Sequence, residues 1–392
     1  MRVAYYTHPD LLAPALSLIR ELSRRAECHL LVELSPWAWH SELFDLAPRP
    51  LPPGLIPANA VLGDDFPAGA RAYWQNVASF QFVVHDARKS LHPAAWRISR
   101  RVTRWLHDLQ PDVIHFDGMS RRMVFALPFL RRWPIVLTVH DPALHVGEHS
   151  LSTELFRRLM HAGTSRFVLY NRTLKPTFCS KYRVSPEHVD TTHLGPYDIF
   201  REWIATPDEP QSTTVLFFGR LSSYKGLEVL YRAAPRVAEH VPGVTFIVAG
   251  RPVAGYEPPA PPCLPNGGRV EARVGYVSND QLAQLFQRAA VVVCPYVEAT
   301  QSGVALTAYA FGRPVVASAV GGLPEYVRHR ETGLLATPGD ADALAQALIS
   351  VLTDQRLAAQ LEQGVARTAR GELSWDQAAT EIAHVYARTV ST

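Results

Sequence analysis

The residues best placed to do chemistry lie between Val291 and Glu325, in the run VVVCPYVEATQSGVALTAYAFGRPVVASAVGGLPE. The β-branched stretch VVVCPYV reads as a buried strand, and it ends in the polar turn Glu298 to Ser302. Ser302 is the residue type that caps a helix, Gly303 to Phe311 gives two to three helical turns, Gly312 suits the position just past the end, and Pro314 stops continuation before the strand PVVAS. The first turn of such a helix has unpaired backbone N–H groups at the positive end of its dipole. Beyond the carboxyl end of a buried strand, Ser302 and Gly303 therefore predict a phosphate-binding turn. Many parallel α/β proteins carry the same strand, turn and helix with no ligand, so the turn needs partners elsewhere in the chain.

Two further segments end in titratable clusters. PDVIHFDG carries His115 and Asp117, and PIVLTVHD carries His140 and Asp141, each near the carboxyl end of a strand. One or both pairs lining a ligand-facing edge competes with ordinary strand-end hydrogen bonding. His145, His149 and His161 follow no pattern and read as surface residues. Thr7 to Asp10, the first loop, lacks the glycines of a dinucleotide fingerprint, which argues against a nicotinamide enzyme. Cys28, Cys179, Cys263 and Cys294 form no CxxC pair, so neither a zinc site nor a disulfide framework is indicated.

The elements that must position these residues alternate in type. RVAYYTH, LLAPALSLIRELSRRA and CHLLVELS read as strand, helix, strand, the start of a parallel sheet. Residues 47 to 70 are Pro- and Gly-rich and read as an irregular excursion. Pro93 to Leu109 forms a basic amphipathic helix, with Trp96, Val102, Trp105, Leu106 and Leu109 on or near one face and Arg97, Arg100, Arg101 and Arg104 elsewhere. A sheet-covering helix with a solvated basic face competes there with contact to an anionic membrane or acceptor. RFVLYNR and TTHL close this half, and LGPYDIFREWIATPDEPQ connects it to a second. There TTVLFFGRL, SSYKGLEVLYRAAPRVAEH and VTFIVAGR repeat strand, helix, strand. A Pro-rich loop and RVEARVGYV follow, with Ser278 and Asn279 before the helix DQLAQLFQRAA. Three amphipathic helices end the chain.

At 392 residues the chain exceeds what one core usually supports, and 47% apolar with 19% charged residues is ordinary for a globular enzyme. No apolar run reaches the ~18 residues of a membrane span, and MRVAYYTH reads as a strand, so a cytoplasmic protein is expected, with the inner membrane face as a peripheral alternative. The net charge of +3 divides into +5 for residues 1 to 200 (23 basic, 18 acidic) and −2 for the remainder (16 basic, 18 acidic). No basic and aromatic stripe matches a nucleic-acid module, so nucleic acid is not an expected partner.

FGRLSSYKG, the Val291 to Glu325 run and GGLPE followed by ETGLL resemble the retaining glycosyltransferases of family four, most strongly over residues 213 to 345. The resemblance implies the GT-B architecture, an α/β fold of two Rossmann-like doubly wound domains facing across a cleft. The expected division is 1–200 for an acceptor-binding domain, 201–372 for a nucleotide-sugar-binding domain, and 373–392 for a helix returning to the first. It implies transfer of a sugar from a nucleotide diphosphate, with UDP favoured over GDP, to a glycan, lipid-linked or small-molecule acceptor, with no other cofactor and no metal. Arg220 and Lys225 would neutralise the leaving diphosphate. Gly275, Tyr276 and Val277 match the segment whose backbone meets the nucleotide base, and His140 matches the histidine against the donor sugar.

The family's acidic pair is absent. Anchored on Gly312 and Pro314, its two positions fall on Ala299 and Thr307. Glu298 stands one residue early for the first role, Thr307 is a neutral hydrogen-bonding partner for a ribose hydroxyl in the second, and Gln301 or Ser302 would touch sugar or phosphate. Two alternatives remain: a non-catalytic nucleotide-binding partner protein of the same fold, and a nucleotide-sugar epimerase.

Overall fold

The computed structural model describes residues 1–35, 43, 51–62, 66–87, 89–90, 92–140, 151–206 and 211–391. Asp141, His145 and His149 lie outside the described residues. The chain forms two compact units, Met1–Gly195 with Trp375–Thr392, and Pro196–Ser374.

In the first unit the strands are β1 (Arg2–Thr7), β2 (Glu27–Leu34), β3 (Gly54–Pro57), β4 (Ser79–Val84), β5 (Val113–Asp117), β6 (Ile135–Val139), β7 (Arg166–Leu169) and β8 (Val189–Thr191). Among the described residues they make one sheet ordered β3-β4-β2-β1-β5-β6-β7-β8. Every pairing is parallel except that of β3 with β4. Helices link successive parallel strands, as right-handed crossovers require, and the strands are apolar because both sheet faces are covered: β1 and β5 are almost wholly buried. The last helix, Trp375–Val390, packs into this unit: the Gly195 backbone lies so close to the Trp375 indole that a Cβ there would sit 2.6 Å from the ring, and Tyr386 is fully buried.

The region 47–70 is more regular than its prolines predict, contributing β3 and the short helices Ala58–Leu62 and Ala68–Arg71. Pro57, which lacks an N–H, falls on the last residue of β3, an edge strand where that loss is tolerated. The basic helix spans Pro93–Leu109 as its periodicity predicts, and Val102 and Leu106 of the expected face are buried, but Trp96 is 53% exposed and Ile98 takes its place in the buried stripe.

The second unit contains β9 (Thr214–Phe218), β10 (Thr245–Gly250), β11 (Arg269–Val274), β12 (Val291–Cys294), β13 (Val315–Ser318) and β14 (Gly333–Ala336), all parallel. The order β11-β10-β9-β12-β13-β14 reverses direction between β9 and β12. Such a reversal opens a crevice at the carboxyl ends of the two strands, where open α/β sheets bind ligands. The strand predicted as VVVCPYV stops at Cys294, because Pro295 cannot continue the ladder. GGLPE is not a plain turn: Leu323–Tyr326 forms one helical turn.

Candidate functional site: two strand-edge clusters

The second unit brings several of the sequence-selected residues to its β9/β12 switch point. The helix after β12 spans Gly303–Ala310, with the Ser302 side chain accepting the Ala305 N–H at 3.3 Å and Gly312 following at φ +71°. The Ser302 Oγ also lies 3.2 Å from the Tyr296 hydroxyl and 4.0 Å from the Cys294 sulfur. Tyr296 is 1% exposed, and the Lys225 Nζ rests 3.9 Å from its ring centroid, a cation–π contact. One aromatic side chain thus touches both the fixed cation and the cap of the helix N-terminus. Burial pushes the Cys294 thiol up, which leaves it an unreactive wall residue.

Backbone contacts hold the two turns together. The Val297 N–H donates to the Tyr224 carbonyl at 2.9 Å. Gly226 has φ +71°, and a Cβ there would lie 2.0 Å from the Pro295 carbonyl oxygen, so only glycine lets the Lys225 turn sit this close to the end of β12. On the other side Gly321, φ +55°, approaches the Ala299 carbonyl in the same way. The Glu298 to Ser302 loop is therefore clamped between two glycine turns. Within it the Gln301 Oε1 is buried without a hydrogen-bond partner, as is the Ser222 Oγ in the facing turn. A buried orphan of this kind costs about 1–3 kcal/mol, which a ligand hydroxyl in hydrogen-bonding position offsets.

The remaining predicted residues of this unit are placed as follows. Arg220 is exposed at the end of β9, and Glu298 is half-buried in the clamped loop. Thr307 is 4% exposed and its hydroxyl donates to the Gly303 carbonyl at 2.9 Å, so it closes the first helical turn. Gly275, Tyr276 and Val277 follow β11, three strand spacings from β12, or about 15 Å. The Gly275 N–H is bonded to the Gly250 carbonyl at 2.9 Å, while Tyr276 is 51% exposed.

The first unit holds a different cluster at the carboxyl ends of its strands. His140 Nε2 lies 2.7 Å from Asp117 Oδ1, and the Thr7 hydroxyl donates to Asp117 Oδ2 at 2.9 Å. Burial works to raise the Asp117 carboxyl, but the charge and hydrogen bond of His140, with His115 and Thr7, hold it below its ordinary value. His115 is no edge residue: it is fully buried, bonded to the Tyr386 hydroxyl at 2.5 Å and to the Thr138 hydroxyl at 2.7 Å, and burial lowers it to about 4. His161 is also not a surface residue. It packs edge-on against Phe167, Phe178 and Tyr182, and burial with nearby Arg157, Arg158 and Lys181 lowers it to about 4.

Sequence reading missed a second polar group beside this one. Glu33 accepts from the Tyr6 hydroxyl at 2.7 Å, the Ser120 hydroxyl at 2.5 Å and Arg122 Nη1 at 2.9 Å, and it is 5% exposed. Burial alone would raise its carboxyl; His8, His85, Arg122 and the Ser120 bond hold it at about 2. His85, 1% exposed, is lowered by burial to about 4. Among the described residues, no group of three or more His, Cys, Asp or Glu is arranged to hold a metal ion, and no helix is long and apolar enough to cross a membrane.

Sequence comparison supplies the context for both clusters. Residues 15–195 match the model for Glycosyltransferase Family 4, and residues 212–354 match the model for Glycosyl transferases group 1. An uncharacterized glycosyltransferase of Methanocaldococcus jannaschii is 29% identical over 70% of this chain and 75% of its own length. A glycogen synthase of Mycobacterium tuberculosis is 30% identical over 71% of this chain and 69% of its own. A D-inositol 3-phosphate glycosyltransferase of Mycobacterium avium is 32% identical over 54% of this chain and 52% of its own. Solved structures share the fold across the whole chain: a Rickettsia africae glycosyltransferase has a TM-score of 0.67 at 11% identity, covering 100% of this chain and 99% of its own. Anabaena HepE, in complex with UDP and glucose, has 0.63 at 18%, covering 99% and 100%. With two parallel α/β units in the GT-B fold and these matches over both, the chain belongs to glycosyltransferase family four and is a glycosyltransferase.

Proposed function

We propose that the chain transfers a sugar, with retention at the anomeric carbon, from a nucleotide diphosphate donor bound by the second unit to a hydroxyl acceptor bound by the first. The observation that carries this reading is the Lys225–Tyr296–Ser302 arrangement: a fixed cation and a helix N-terminus are locked to one another at the switch point of a Rossmann-like sheet. Charge on the leaving diphosphate grows as the sugar departs. Groups already aimed at that charge stabilise the transition state more than the ground state. Lys225 and the N–H groups beyond Ser302 meet the phosphates, Arg220 adds a second cation, and this positive charge does the work that a divalent metal would otherwise do.

The span from Ser302 to Tyr276 suits a nucleotide lying across the strand ends, with its base against the Gly275 to Val277 backbone. Gln301 and Glu298, on the clamped loop, face the sugar in this reading, and Thr307 supports the ribose side from within the helix. His140, ordered by Asp117 at 2.7 Å, is the first-unit residue to which the family resemblance assigns a role toward the sugar. Uridine diphosphate is the favoured carrier, a choice supported by the UDP and glucose bound to Anabaena HepE. The exposed Trp96 and the exposed arginines of Pro93–Leu109 favour peripheral contact of the first unit with an anionic membrane surface.

A thermal-shift screen against UDP, GDP, ADP and TDP sugars tests the donor assignment, since a ligand that binds the native state raises the melting temperature. UDP sugars are expected to give the largest shift, without added metal and undiminished by chelator. No shift with any of them refutes the reading. Nuclear magnetic resonance of the product mixture then reports the anomeric configuration. Conversion of the donor without acceptor would point to epimerisation instead.

A further inference from the structure

We propose that β11 is a dimerisation edge: two copies of the chain join their second units by antiparallel pairing of this strand about a two-fold axis at Ala272. The strand ends its sheet, and its burial is unlike that of its neighbour. β10 is wholly buried, whereas Arg269, Ala272, Arg273 and Val274 of β11 are exposed. Val274 is 54% exposed and Tyr276, just beyond the strand, 51%. The cause lies in the crossover from β10 to β11. A helix usually makes such a connection and covers the strand. Here Pro258, Pro259, Pro261, Pro262 and Pro265 deny the segment the N–H groups that a helix needs, and it runs without one.

The ladder decides which backbone groups that edge presents. The Arg269 and Gly275 N–H groups donate to the Val244 and Gly250 carbonyls, each at 2.9 Å. Glu271 and Arg273 are in phase with them and turn their backbone groups to β10, so Val270, Ala272 and Val274 turn theirs outward. Among the described residues no strand pairs with this edge. The register with β10 is unbroken from Arg269 to Val274, and the strand contains no proline. A straight edge of this kind is a template for a further strand.

The order of its side chains selects a second copy as that strand. Read antiparallel about Ala272, the run Val270 to Val274 meets itself in complement: Val270 faces Val274, Ala272 faces Ala272, and Glu271 faces Arg273 on both sides of the axis. Val270, Ala272 and Val274, whose backbone groups point outward, then fall in the pairs that exchange two hydrogen bonds each. The charged face is already ordered, with Glu271 lying 3.2 Å from Arg269 and 3.6 Å from Arg273. An axis at Glu271 would set that carboxylate against its own copy and Arg269 against Arg273, and an axis at Arg273 would oppose two guanidiniums. The two-fold also closes the assembly, since each chain has used its edge. An interface built on one six-residue strand is smaller than the ~1,600 Å² of standard complexes, so the pair dissociates at micromolar concentration.

Sedimentation velocity of the full chain from about 1 to 100 μM tests the assignment, with the mass expected to rise from that of one chain toward that of two. Ala272→Pro removes the N–H that faces the axis and no bond of the β10 ladder, and should abolish the rise. Glu271→Arg and Arg273→Glu should each raise the dimer Kd about tenfold or more by opposing like charges, and the two changes in one chain should restore it. The sharpest outcome is in a mixture: the Glu271→Arg chain and the Arg273→Glu chain, each a poor partner for itself, should pair with one another. Melting curves for each variant check that the second unit stays folded. A chain that remains monomeric at the highest concentration overturns the proposal. So does a dimer that survives Ala272→Pro, or a mixture of the two charge variants that pairs no better than either alone.

Discussion

The two units place their polar residues at the same point of a doubly wound sheet, where the strand order reverses, yet they equip it in opposite ways. At the β9/β12 edge the strong charge is cationic: it rests on an aromatic ring, in a turn tied to the end of β12 by the Val297–Tyr224 backbone hydrogen bond. At the edge of β1, β2 and β5 two buried carboxylates, Asp117 and Glu33, are surrounded by hydroxyls, imidazoles and Arg122. The first arrangement suits a substrate whose charge is permanent. The second is sensitive to proton concentration and suits hydroxyl chemistry. One fold, used twice, presents a cation at one strand edge and buried carboxylates at the other.

This contrast is tested most severely by Glu33→Gln, which removes the carboxylate partner of the buried Arg122. Removal of one member of a buried pair costs about 3–5 kcal/mol, so chemical denaturation should show that loss in the first unit while nucleotide still binds. Loss of nucleotide affinity in step with stability would break the independence of the two edges. Next, Lys225→Ala or Arg220→Ala should lower kcat by about 100-fold or more, with the melting temperature nearly unchanged. Wild-type turnover in both would remove the phosphate assignment.

Acid should act on the first unit before the second. His85, His115 and His161 have folded values of about 4, below their unfolded value, so the unfolded state binds more protons as pH falls from about 6.5 towards 4, and stability declines across that window. Glu33, held at about 2, adds a further loss as pH falls below its ordinary carboxylate value. Hydrogen exchange, corrected for the intrinsic rate at each pH, should show lower protection at pH 4.5 than at 7.5 in β1, β2 and β5 and little change in β9 and β12. The smallest effect belongs to Tyr296→Phe. It removes the hydroxyl from Ser302 but keeps the ring under Lys225, and should lower second-unit stability by about 1 kcal/mol with kcat changed only a few-fold. A loss as large as that of Lys225→Ala would mean that the cap orders the cation.

These differences also account for what could be read from the chain itself. The capped helix after β12 was legible because its parts are local: cap, helix, terminating Gly312 and Pro314 lie within thirteen residues of one another. Tyr296 was not, since an aromatic residue after a β-branched run has the pattern of ordinary core. Glu33 and Arg122 are 89 residues apart and meet only because β2 and the turn after β5 flank β1. His115 and His140 occupy similar positions in two strand-like segments, and nothing local distinguishes them. Only the last helix, which brings Tyr386 to His115, makes one of them structural. The strand β4 was lost among the prolines before it, although its SFQFVV sequence is a plausible strand.

The position of that last helix has a consequence for biosynthesis. The second unit is continuous in sequence, whereas the first is interrupted and contains Trp375–Val390 as one of its own elements. Tyr386 on His115, Arg388 on Asp190 and Asp376 on Arg25 are contacts that the amino-terminal 195 residues cannot make until the codons for that helix have been translated. Translation proceeds at about 5–20 residues per second, so the early half waits on the order of ten seconds or more, with the face that will receive Trp375 and Tyr386 uncovered, while the later half is made. The unit translated first is thus the last to be completed.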